Sequence, residues 1–141
     1  MTATEEARKL VEEKQQIGPD LAVRLLEEAV ASKGADYIYV NQYGERANEN
    51  PTGCQNLHNL NILDRDKDPE WVPGCLVGHV LVNVFGIEKV DPEGSVVSLN
   101  QLLGDPFTKE AESVLGRAQF AQDRGETWGR ALEDGKEYRG R

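Results

Sequence analysis

The chain is short of the residues that mark most small functional classes. Of its 141 residues only two are Cys, two His, one Met, two Trp and three Phe. Two Cys are too few for a disulfide-stapled scaffold. A chain of this length buries roughly 70% of its unfolded surface and needs no staples. Bases are scarce as well: 16 Lys and Arg face 25 Asp and Glu, and the net charge of −9 is spread along the chain. No basic block exists, so no nucleic-acid partner is expected. No apolar run approaches the ~20 residues that cross a bilayer, and an acidic surface repels anionic lipid, so no membrane partner is expected either. The start, MTATEEARKL, is charged where the apolar core of a secretory leader would sit. The Gly-rich phosphate-binding patterns GxGxxG and GxxxxGK are absent. These exclusions leave a small acidic protein of the cytoplasm, whose cysteines would be thiols or ligands rather than a disulfide.

What is present is mostly helical periodicity, and residues 1–141 read as a single domain. Residues 1–34 predict a helical hairpin. Thr2 and Glu5 form a capping box, a helix runs over 3–16, and a second helix opens at Pro19 and stops at Gly34. Residues 35–104 predict a mixed segment. Its best strand is 36–42 (DYIYVNQ), 57–63 reads as a short strand or a helical turn, and 64–74 reads as a loop. The run CLVGHVLVNVFG predicts a buried helix closed by Gly86; 87–97 is irregular or a short strand, and Ser98 caps one helical turn. Residues 105–134 predict C-terminal helices, with Thr108 as a cap, a break near Gly125 and Thr127 as the next cap, before a frayed tail at 135–141. The expectation is a predominantly helical α+β fold with five or six helices and a minor sheet of two or three strands.

All four Cys and His fall in two matched hexapeptides, GCQNLH (53–58) and GCLVGH (74–79). On a helix, positions i and i+4 share a face, so Cys75 and His79 would point one way. If Cys54 and His58 did likewise, the four could hold a tetrahedral zinc. Structural sites more often pair Cys with Cys and His with His, and packing is the favoured reading. A catalytic reading makes Cys75 a thiolate at a helix N-terminus, with His58 as its base. Asp64, Asp66 and Asp68 open like a calcium loop, but Pro69 and Cys75 stand where Gly and Glu are required, so a solvated acidic loop is expected.

Val114, Ala118, Ala121, Gly125, Trp128 and Leu132 follow a heptad-like spacing. This seam packs either on the domain's own core or on a partner. In the second case Trp128 is the anchor, with Arg117, Arg124 and Arg130 as a polar rim.

The stretches PGCLVGHVL (73–81) and LGRAQFAQDRGETWGRAL (115–132) resemble small uncharacterised proteins of actinobacteria and their bacteriophages. The resemblance implies an accessory protein in a host cytoplasm and carries no activity with it. His58 lies outside both stretches, which counts against the zinc and catalytic readings. The function expected is a non-enzymatic binding protein whose partner is a host or phage protein, or a second copy of itself. The alternatives are a cysteine-dependent hydrolase or transferase using Cys75, and a zinc-stabilised Cys2His2 module.

Overall fold

A computed structural model describes residues 1–46 and 55–139, the last of these by its backbone alone. Its described residues form a predominantly helical α+β fold of six α-helices and a two-stranded antiparallel sheet. Helix α1 (Ala3–Glu12) opens on the expected capping box. It ends four residues before the predicted limit, because Lys14 takes a left-handed turn (φ 56°). Ile17 then leaves the helix path: its amide donates to Pro106 O at 2.8 Å, and its carbonyl accepts from Thr108 at 3.0 Å. Ile17 is wholly buried there, a position that a continuous helix would deny it.

Helix α2 (Pro19–Lys33) starts with Pro in its first turn and ends at Gly34, whose φ of 98° suits glycine. It buries Ala22, Leu25, Leu26, Ala29 and Val30, the stripe its periodicity predicts. The predicted strand at 36–42 does not form a ladder. It makes two single bridges, Ile38 to Thr127 and Val40 to Arg46. Its carbonyl partners are the first amides of a helix instead. Trp128 N donates to Tyr37 O at 2.8 Å, and Gly129 N to Ala35 O at 2.8 Å. Those amides open a helix, have no partner within it, and so draw the extended segment in. A side chain at Gly129 would lie 2.9 Å from Ala35 O, so the contact requires glycine.

Strands β1 (Leu57–Asn59) and β2 (Trp71–Pro73) pair with Leu57 opposite Pro73 and Asn59 opposite Trp71. Strand β2 lies inside the stretch read as loop. Helix α3 (Leu76–Phe85) ends at Gly86 as expected. Helix α4 (Val96–Leu102) is capped by Ser95, not Ser98; Ser98 instead donates its amide to Ser95 Oγ at 3.2 Å. Helix α5 (Lys109–Asp123) is capped by Thr108. Gly125 (φ 88°) breaks the chain, and Thr127 Oγ1 accepts from Arg130 N at the start of α6 (Trp128–Arg139). This helix continues through the stretch read as a frayed tail. Gly135 is buried, and a Cβ there would come within 3.3 Å of Leu26 and Val114; residues 140–141 lie outside the described residues.

The core gathers the apolar faces of α2, α3, α5 and α6, with Leu25, Leu26, Leu76, Leu115 and Trp128 at 0–1% exposure. Each such side chain contributes about 1.5–3 kcal/mol by leaving water.

Candidate functional site

The two Cys-His segments meet, but as packed backbone. Gly74 N donates to Asn56 O at 2.9 Å, and Cys75 N donates to Gln55 O at 2.9 Å. A Cβ at Gly74 would sit 2.3 Å from Gln55 O, and one at Gly78 would sit 2.1 Å from Asn56 O. Both glycines of GCLVGH are therefore needed so that α3 can lie directly on residues 55–56. Cys75 is not a helical residue but the N-cap of α3, with extended backbone (φ −72°, ψ 174°). Its side chain folds back over the helix end, which removes the shared-face argument for Cys75 and His79. The thiol donates to Asn56 Oδ1 at 3.4 Å and accepts from Gly78 N at 3.4 Å. Gln122 Oε1 accepts both Leu76 N at 2.8 Å and Trp128 Nε1 at 3.1 Å. Protein groups thus occupy the start of α3, and Cys75 is wholly buried, as its apolar neighbours predict.

His58 turns elsewhere. Its Nε2 lies 2.8 Å from Tyr39 Oη, which also accepts the Gln55 amide at 3.0 Å. In either tautomer that nitrogen is engaged with this hydroxyl. His79 donates from Nδ1 to the Cys75 carbonyl at 3.0 Å and packs edge-on to Trp128, centroids 5.1 Å apart. Burial lowers the pKa of both imidazoles; the neighbouring charge of His79 lowers His58 further, as does Lys33. The proposed nucleophile and base thus make hydrogen bonds that lead to different partners. Of the zinc set, Cys54 lies outside the described residues. Among those described, no group of three or more His, Cys, Asp or Glu is placed to hold a metal ion. Asp64 caps its own loop, accepting from Asp66 N at 3.2 Å and pairing with Lys67 at 3.7 Å.

An open cleft of about 900 Å³ lies elsewhere, between the exposed face of α5 and residues 93–97. Val97, Phe120 and Tyr138 line it and are 49%, 55% and 39% exposed. Lys109 and Arg117 add positive charge along α5, and Glu112 adds a carboxylate held by Asn100 Nδ2 at 3.0 Å. Gly116 sits mid-helix on this face, where an added Cβ would meet nothing within 4 Å. A glycine in a helix interior costs about 1 kcal/mol relative to alanine, and internal packing does not require this one. The cleft touches the His58 network at Gln55, whose Oε1 is buried with no hydrogen-bond partner among the described residues.

The residues of the expected interface separate here. Trp128 is fully buried against Tyr37 (centroids 4.7 Å) and His79, and Val114, Ala118 and Ala121 are buried with it. The seam is core, so Trp128 is not a surface anchor. Arg124 and Arg130 are exposed and pair with Glu126 and Asp134 at 3.5–3.7 Å. Arg124 also lies over the Phe120 ring, 5.0 Å from its centroid, and Arg117 lines the cleft. Arg117 and Arg124 therefore lie on the Phe120 side, and Arg130 does not join them. Sequence reasoning passed over Phe120, Val97, Tyr138 and Gly116. The signal for Phe120 was there: it is a large aromatic on the face of α5 opposite the seam. No helix among the described residues is long and apolar enough to cross a membrane. Comparison with protein-family models, with curated proteins and with solved structures finds no match.

Proposed function

We propose that this is a non-enzymatic binding protein that works by protein–protein contact at the α5 cleft. The observation that carries the reading is Phe120, a large apolar side chain left 55% exposed on a polar helix face, inside the α5 cleft. Exposed aromatics beside arginine are the usual anchors of protein interfaces. Gly116 supports the same reading, because it leaves room at the foot of Phe120 at a cost to helix stability that the fold does not demand. The reading takes the protein as an accessory factor of a host cytoplasm, in keeping with its resemblance to small phage and actinobacterial proteins. Parallel capture experiments with wild type, Phe120→Glu and Cys75→Ala test it. The expected result is a partner lost with Phe120→Glu and retained with folded Cys75→Ala. Capture insensitive to Phe120, or a thiol-dependent turnover abolished by Cys75→Ala, overturns it.

A further inference from the structure

We draw no further inference here: the strongest candidate, the open cleft between the exposed face of α5 and residues 93–97, belongs to the site already described, and nothing in the structure shows what covers it.

Discussion

Gly78 and Gly116 both sit inside helices, and the structure assigns their replacement by alanine opposite signs. Helix propensity alone favours alanine by about 1 kcal/mol at each. At Gly116 nothing opposes that gain, since the new Cβ has no neighbour within 4 Å. Gly116→Ala should therefore stabilise the monomer by about 1 kcal/mol, a rise in Tm of about 3 °C for a chain of this size. At Gly78 the new Cβ would lie 2.1 Å from Asn56 O and within 2.9 Å of two more Asn56 backbone atoms. Backbone cannot rotate away as a side chain can. Residues 55–56 would have to lift off α3, weakening the Gly74–Asn56 and Cys75–Gln55 hydrogen bonds. Overpacking of this kind costs about 1–3 kcal/mol, more where backbone must move, so the net loss at Gly78 should exceed 1 kcal/mol. Urea unfolding followed by circular dichroism, at concentrations dilute enough to keep association out of the measurement, reads both signs in one experiment. A Gly78→Ala protein as stable as the wild type would refute the docking of α3 on residues 55–56.

Trp128→Ala should cost about 3–5 kcal/mol, the range for emptying a large aromatic site, and leave the chain largely unfolded in thermal melts; a folded variant of unchanged Tm would return Trp128 to the surface. Cys75→Ser should be tolerated within about 1 kcal/mol, because a hydroxyl at this N-cap keeps Asn56 Oδ1 as acceptor and the Gly78 amide as donor, and rapid labelling of native Cys75 by a bulky thiol reagent would contradict its burial. Stability should also fall with acid. Burial holds the folded pKa of His58 and His79 below the ordinary 6.5, so below that pH the unfolded chain binds more protons. Their contribution is complete above about pH 6.5 and is lost as pH falls towards the folded values. The His79→Gln variant should lose less stability than the wild type between pH 7.5 and pH 5, and an equal loss would remove His79 from the account.

The helices were legible where a single face decides the matter. Val114, Ala118 and Ala121 recur at helical spacing and are buried, and 76–85 is apolar throughout and lies in the core. Caps were legible when one side chain competed, as at Thr2 and Thr108, and misplaced when two serines did, as at Ser95 and Ser98. The segment 36–42 has the composition of a strand and is extended as that predicts. Its hydrogen bonds go to the first turn of α6, a pairing between distant segments that local propensity does not encode. The matched Cys-His spacing does not translate into a shared helix face for a similar reason. Spacing assumes that Cys75 is helical, whereas it caps the helix, and the glycines beside it serve a contact with Gln55 and Asn56 that only the fold brings about. The cleft was hidden because attention to the apolar seam passes over the opposite face, where Phe120 lies.

Oxidative footprinting of the aromatic side chains in the cell tests the central claim, that the α5 cleft is a protein-contact surface. Phe120 and Tyr138 line the cleft, and the exposed Tyr43 and Trp71 lie away from it, so the controls are in the same molecule. Dilute purified protein should be labelled at all four. In the cell Phe120 and Tyr138 should be protected, while Tyr43 and Trp71 are labelled as before. Labelling of Phe120 and Tyr138 in the cell equal to that of the dilute protein would contradict the claim.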